Sequence, residues 1–308
     1  MQHIWGIDLG GTKIEGVVLS SASAEAVVIR KRIDTEAWNG YQHIVAQIAK
    51  LVKILEAETG IKAERLGIAT PGTLNPSTQT MKNSNTTCLN GMPLKADLEK
   101  ILNIPITMAN DANCFALAEA TMGIVPDVVP DFQCVFGVIM GTGVGGGVVF
   151  RGKDGVPVVL NGLQGIGGEW GHNILEEGGY DCYCGKKGCV EQVLSGPALQ
   201  TYYTQISGQS LKLPEIVTRH YAGSDPLATQ TVERLLDYFG RGISTLTNVL
   251  DPDAIVLGGG VGNIDMLYNE GVESIKKYIF NSGVVETKIL RPKLGDSAGV
   301  FGAAMLVS

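Results

Sequence analysis

Ile4-Trp5-Gly6-Ile7-Asp8-Leu9-Gly10-Gly11-Thr12-Lys13 runs into the apolar segment Ile14 to Leu19. Much later, Cys134 to Met140 runs through Gly141-Thr142-Gly143 into Val144 to Phe150. Each stretch reads as a strand, a tight glycine turn and a second strand. The chain therefore opens twice in the same way. After the first opening, Val27 to Ile33 reads as a third strand. Ile44, Val45, Ile48, Leu51, Val52 and Leu55 then keep the i, i+3, i+4 spacing of an amphipathic helix, which Gly60 ends. Arg65 to Thr70 and Pro105 to Ala109 read as further strands, the latter leading through Asn110-Asp111 into a helix that reaches about Met122. After the second opening, residues 197 to 250 read as mostly helical and Ala254 to Leu257 as a buried strand. A helix over about Ile264 to Ile279, a strand over Val284 to Leu290 and a closing helix over Ala298 to Leu306 complete the chain.

Alternation of strands and helices after each opening predicts an internally duplicated α/β architecture of two lobes. Loop composition around residues 123 to 133 (Gly123, Pro126, Asp127, Pro130, Asp131) marks the boundary. The expected domains are an N-terminal lobe, 1–122, on which the final helix, 298–308, packs back, and a C-terminal lobe, 123–297. Ligands are then expected in the cleft between lobes.

With 308 residues, 44% apolar and 18% charged, the chain is long enough for a substantial core and too apolar to be disordered. Mean hydropathy is +0.15. A formal charge of −7 and the absence of any basic run argue against nucleic acid as a partner. No apolar stretch reaches the length of a membrane span, and residues 1 to 30 lack the layout of a secretory signal. A cytoplasmic location is expected.

Three glycine clusters follow three strands. Asp8-Leu9-Gly10-Gly11-Thr12-Lys13 places an acid at a strand end and a turn whose N–H groups can face an anion; a plain hairpin turn remains the alternative. It is not a Walker A loop, since Gly-Lys-Ser/Thr is absent and a strand follows. Gly141, Gly143 and Gly146 satisfy G-x-G-x-x-G only formally, because Val148-Val149-Phe150 continues as strand where a dinucleotide fold needs a helix. Gly258-Gly259-Gly260 lies between a strand and a helix. Three such turns suggest one polyphosphate ligand. Asn110-Asp111 offers either a helix N-cap or a general base, and neighbouring residues can take both roles.

His172, Cys182, Cys184 and Cys189 form a Cys₃His set, which suits tetrahedral zinc. Four protein ligands leave no open position, so the metal is expected to be structural. Cys88, Cys114 and Cys134 stand alone in apolar contexts. Glu169 and Glu191 flank the set and would be held beside it, in a position to bond a polyol.

Together, Asp8-x-Gly-Gly-Thr-Lys13, Pro71-Gly72, Asn110-Asp111, Gly141 to Gly147, Glu169-Trp-Gly-His172 and Cys182-x-Cys-Gly-x-x-Gly-Cys189-x-Glu191 resemble the ROK family of sugar kinases and sugar-responsive repressors. The resemblance covers nearly the whole chain. It implies a two-lobed actin-like ATPase (ribonuclease H-like) fold with ATP and Mg²⁺ between the lobes and a hexose beside the γ-phosphate. In that resemblance Asp8, Gly10, Gly11, Thr12 and Lys13, with Gly141, Thr142 and Gly143, look like the phosphate loops, and Gly258, Gly259 and Gly260 like the adenosine-side turn. Asp111 looks like the catalytic base. Asn85, Asn110, Glu169, His172 and Glu191 resemble sugar contacts, His172 with one ring nitrogen on zinc and the other on a sugar hydroxyl. A homodimer is the expected assembly. Repressors of the family carry a DNA-binding domain ahead of the first phosphate loop, whereas here seven residues precede Asp8.

The expected activity is ATP-dependent phosphorylation of a free hexose at its terminal hydroxyl. Residues 83 to 94 look closest to fructokinase and mannokinase members, so fructose or mannose come first and glucose next. N-acetylglucosamine or N-acetylmannosamine is the runner-up. A sugar- and nucleotide-binding regulator without turnover is the alternative of another class, and an intact Asp111 speaks against it.

Overall fold

The computed structural model describes residues 3–308. Strands β1 (Ile4–Leu9), β2 (Lys13–Leu19) and β3 (Val27–Asp34) form an antiparallel meander and lead into α1 (Tyr41–Thr59). Then follow β4 (Leu66–Thr70), the small ribbon of β5 (Thr73–Leu74) and β6 (Met81–Lys82), α2 (Leu94–Leu102), β7 (Ile106–Asn110), α3 (Asp111–Thr121) and the one-turn α4 (Val125–Val128). The first sheet has the order β3-β2-β1-β4-β7, with β1, β4 and β7 parallel.

A second sheet is built from β8 (Cys134–Met140), β9 (Val144–Arg151) and β10 (Pro157–Val159). After α5 (Glu191–Leu194), α6 (Gly196–Ser207), α7 (Leu213–Tyr221) and α8 (Pro226–Leu250) it is joined by β11 (Ala254–Gly258) and, past α9 (Gly259–Gly262) and α10 (Glu270–Ile275), by β12 (Lys288–Leu290). Its order is β10-β9-β8-β11-β12, and β8, β11 and β12 are parallel. Three consecutive strands, then two more added parallel to the first of them, describe both sheets. The duplication visible in the two glycine openings is thus a duplication of topology. The chain ends in α11 (Ala298–Met305).

Two compact units result: residues up to Pro130 with 147–168 and 293–308, and residues 131–146 with 169–292. A single boundary near residue 123 does not describe this division. β9 passes from one unit to the other at Gly147, because its second half pairs with β10 and lies against the start of α3. A Cβ on Gly147 would stand 2.5 Å from the Ala112 carbonyl oxygen.

In the first unit the sequence dictates the packing closely. Ile44, Val45, Ile48, Leu51, Val52 and Leu55 of α1 are buried with Trp5, Ile7, Leu9 and Ile14 of the sheet, each such side chain contributing about 1.5–3 kcal/mol. Gly60, at φ 71°, closes the helix in the left-handed conformation that costs glycine least. On the other face lies α11, in which Ala298, Gly299, Gly302, Ala303 and Ala304 are small. Its backbone comes so near β1 and β4 that a Cβ on Gly6 would meet the Val300 carbonyl oxygen at 2.5 Å, and one on Gly67 would overlap the Ala303 carbonyl.

Two expectations for the second half change. The single helix over 264–279 is a 3₁₀ turn, Asp265–Tyr268, followed by α10, with the break at Asn269 (φ −120°, ψ −78°). Only Lys288–Leu290 of the 284–290 run is strand, since only there does β12 pair with β11. Helix α2, with Leu94 and Leu98 buried, had no counterpart in the reading of the sequence.

Candidate active site

In the first unit, register places the chemistry at the carboxyl ends of parallel strands, the usual ligand side of such sheets. Asp8 pairs with Ala69 and Thr70 with Asn110, so Asp8 and Asn110-Asp111 lie at the same edge of the sheet. The turn after Asp8 is fixed by Gly10 N–H donating to the Lys13 carbonyl at 2.9 Å and by the Thr35 hydroxyl donating to the Gly10 carbonyl at 2.7 Å. Gly11, Thr12 and Lys13 are left exposed. The 83–90 loop reaches this turn: a Cβ on Gly11 would be 3.3 Å from the Thr86 hydroxyl. That loop is tied by Asn90, whose amide accepts from Ser84 N–H at 2.9 Å and donates to the Ser84 carbonyl at 3.0 Å, and it leaves Asn85 exposed.

Of the two residues Asn110 and Asp111, the first takes the cap role. Asn110 is the N-cap of α3, its Oδ1 accepting the Asn113 N–H at 2.8 Å. Asp111 is the first helical residue and accepts its own neighbour's N–H, from Ala112, at 2.7 Å. As a residue it is exposed, while its carboxyl group sits amid protein atoms. Burial therefore raises its pKa, and the backbone bonds only partly offset the rise. Asp8 is pushed up to about 7, first by burial, then by the charges of Asp111 and Glu15, against the pull of Arg32. The α11 backbone sits directly on it, since a Cβ on Gly299 would be 2.5 Å from Asp8 Oδ2. Cys114, expected in an apolar setting, is buried but feels both carboxylates, which lift its thiol further.

In the second unit the Glu169-Trp-Gly-His172 segment is laid on β9. Trp170 Nε1–H donates to the Gly145 carbonyl at 2.9 Å, its ring meets Phe136 edge-on at 6.3 Å, and Gly171 lies against the Val144 backbone where no side chain fits. Glu191 Oε2 accepts the Val144 N–H at 3.0 Å and fills the space beside Gly143. The 141–143 turn is closed by Gly141 N–H donating to Gly143 O at 2.9 Å. One carboxylate is thus bound to the second glycine loop, which sequence spacing did not foretell.

His172, Cys182, Cys184 and Cys189 converge, their donor atoms all within 4.8 Å of one another. Cys182 Sγ lies 3.6 Å from His172 Nδ1, and Cys184 Sγ lies 3.6 Å from Cys189 Sγ. With Zn–S near about 2.3 Å and Zn–N near about 2.0 Å, a tetrahedron has edges of about 3.5–3.8 Å, so the donor set fits zinc. Cys182 and Cys184 are joined by a turn in which Gly185 N–H donates to the Cys182 carbonyl at 2.9 Å, and Lys186 Nζ donates to the His172 carbonyl at 2.8 Å. The second ring nitrogen, Nε2, is 2.9 Å from the Tyr183 hydroxyl.

Gly141 and Thr142 share one cavity of 770 Å³ with Gly260, and its walls include Lys212, Tyr221 and Asp265. That volume suits a nucleoside-sized ligand. Gly259 holds φ 81° and abuts the Met140 backbone, so β8 and β11 can end side by side at this cavity. Sequence reading found the two glycine turns but not the walls, because residues 196–221 gave no signal beyond helical periodicity.

The family model for the ROK family matches residues 4–308. The N-acetyl-D-glucosamine kinase of Aliivibrio fischeri is 33% identical, with 98% of each chain covered. The chain belongs to the ROK family. Among solved structures, the ROK hexokinase from Thermus thermophilus is 31% identical with a TM-score of 0.86, over 99% of this chain and 97% of that one. A ROK glucokinase from Streptomyces griseus, solved in complex with glucose and AMPPNP, is 25% identical over 99% of each chain, with a TM-score of 0.75. The fold is that of the actin-like sugar kinases, and as a ROK sugar kinase this chain is a phosphotransferase. The runner-up sugar of the sequence reading is the one in the name of the Aliivibrio relative. No helix among the described residues is long and apolar enough to cross a membrane.

Proposed function

We propose that this chain transfers the γ-phosphoryl group of ATP to the terminal hydroxyl of a free hexose, with Asp111 as general base. The observation that carries this reading is the division of labour at α3: Asn110 caps the helix, which leaves the raised Asp111 carboxylate for proton transfer. A base whose pKa is moved toward neutrality is better matched to a hydroxyl proton. Phosphoryl transfer otherwise asks for positioning and charge stabilisation. The 10–13 and 141–143 turns supply backbone N–H groups for phosphates, and the 770 Å³ cavity beside Gly260 suits the nucleoside. Asp8 would hold Mg²⁺, since a carboxyl lifted to about 7 by burial and by neighbouring carboxylates gains most from a cation. That ion supplies charge neutralisation at the phosphates.

Asn85, Asn110, Glu169, His172 and Glu191 are assigned as sugar contacts. His172, Cys182, Cys184 and Cys189 would hold a structural zinc that fixes His172 and, two residues past Cys189, Glu191. Unmodified hexoses come first. The 83–94 segment supports this order, and the Thermus relative, at 31% identity, is named a hexokinase. N-acetylglucosamine is the second reading, favoured by the name of the Aliivibrio relative at 33% identity. A coupled ADP-release assay with fructose, mannose, glucose and N-acetylglucosamine decides between them. Highest kcat/KM for an unmodified hexose is expected, dominance of the acetylated sugar supports the second reading, and no ADP release with any sugar contradicts the kinase reading.

A further inference from the structure

Tyr183 was not among the residues that the sequence singled out, yet its phenol takes the one nitrogen of His172 left over by the cysteine cluster. The hydroxyl is 2.9 Å from Nε2, and the two rings meet edge to face at 5.1 Å. Nδ1 faces Cys182 Sγ at 3.6 Å. With a metal on Nδ1, a neutral imidazole carries its proton on Nε2, so Nε2–H donates and the phenol oxygen accepts. A sugar hydroxyl offers the same kind of acceptor oxygen. Tyr183 is 81% exposed, so little packing holds the ring in place. Its backbone, by contrast, stands between Cys182 and Cys184, two members of the cluster. The phenol is thus an exposed group on an anchored backbone.

Building on the sugar-kinase reading above, we propose that Tyr183 is a displaceable placeholder: its hydroxyl occupies His172 Nε2 in the sugar-free protein, and an incoming sugar hydroxyl must replace it. The side chain then sets sugar affinity and selectivity. A sugar able to offer an oxygen to Nε2 recovers the bond it breaks, and one that cannot leaves a donor unpaired. Tyr183→Phe keeps the ring and removes the competing oxygen. One exchanged hydrogen bond is worth about two- to tenfold in affinity.

The test compares wild type with Tyr183→Phe in calorimetric sugar binding without ATP, in steady-state kinetics and in metal content. Expected are a two- to tenfold tighter sugar Kd and lower sugar KM, with kcat, the KM for ATP and metal content unchanged. In a ¹H–¹⁵N spectrum, the His172 Nε2–H signal should shift in the sugar-free variant and move in the wild type when sugar is added. An unchanged Kd with an unmoved Nε2–H signal overturns the inference while wild-type turnover leaves the kinase reading intact. A weaker Kd also overturns it, since the phenol would then be a direct sugar contact. A wild-type protein that neither binds nor phosphorylates any sugar of the panel contradicts both.

Discussion

The charge of Asp111 bears directly on Asp8: after burial, it is the largest influence lifting the Asp8 carboxyl to about 7. Both residues stand at the ends of strands of one sheet, Asp8 paired with Ala69 and Asp111 directly after β7. In the unfolded chain an aspartate titrates near about 3.9. Between that value and about 7 the folded protein keeps a proton that the unfolded chain gives up. This group's contribution to stability is therefore complete below the unfolded value and is lost as pH rises through about 7.

Asp8→Asn removes that titration. In Mg²⁺-free buffer its Tm relative to wild type should rise between about pH 5 and about pH 8, and with Mg²⁺ present its turnover should fall because no carboxylate remains for the cation. Thermal unfolding at the two pH values reads the first effect. A Tm difference independent of pH would mean that the Asp8 carboxyl is not raised.

Capping and catalysis should separate along α3. Asn110→Ala loses the Oδ1 acceptor of the Asn113 N–H and should cost about 1 kcal/mol of stability, measurable by urea unfolding. Asp111→Asn, which keeps an oxygen for Ala112, should cost much less. Equal losses would mean that both side chains serve the helix end alone.

Metal analysis of the purified chain should find about one zinc per subunit. Cys184→Ser should lower zinc content and weaken sugar binding, because His172 belongs to the cluster and Glu191 lies two residues beyond Cys189. Fully active protein without zinc would refute the assignment.

Neighbouring glycines at the cavity should respond in opposite ways. A Cβ at Gly260 would have open space around it for 4 Å, and the residue lines the cavity, so Gly260→Leu should change stability by about 0.5 kcal/mol or less while raising the KM for ATP at least about tenfold by filling the cavity. Gly259→Ala is strained by φ 81° and by the Met140 backbone, and should destabilise the protein by about 1–3 kcal/mol. Denaturation curves and ATP saturation curves of the two variants check the contrast.

These contrasts also mark what the sequence could carry. The duplicated openings, the Cys₃His set and the three glycine turns were legible because each is a short contiguous pattern whose residue types have few other uses. Asn110 and Asp111 were legible as a pair but not in their roles, since only backbone geometry decides which side chain reaches the Asn113 N–H. Lys212 and Tyr221 gave no signal, because they meet Gly141 and Gly260 only through the packing of segments far apart in the chain. Tyr183 was hidden for a related reason: between two cysteines it reads as spacer, and its bond to His172 depends on the fold of the turn. The broken helix at Asn269 shows periodicity failing where a local backbone conformation overrides it.

The account turns on Asp111 as the base in phosphoryl transfer to a sugar. The most direct measurement is the steady-state rate of sugar-dependent ADP formation by Asp111→Asn beside wild type, with sugar affinity measured calorimetrically on both. A fall in kcat of about 10²- to 10⁴-fold, with sugar Kd within a few-fold of wild type, is predicted. Turnover close to wild type in the variant would contradict it and leave Asp111 as no more than the first residue of a helix.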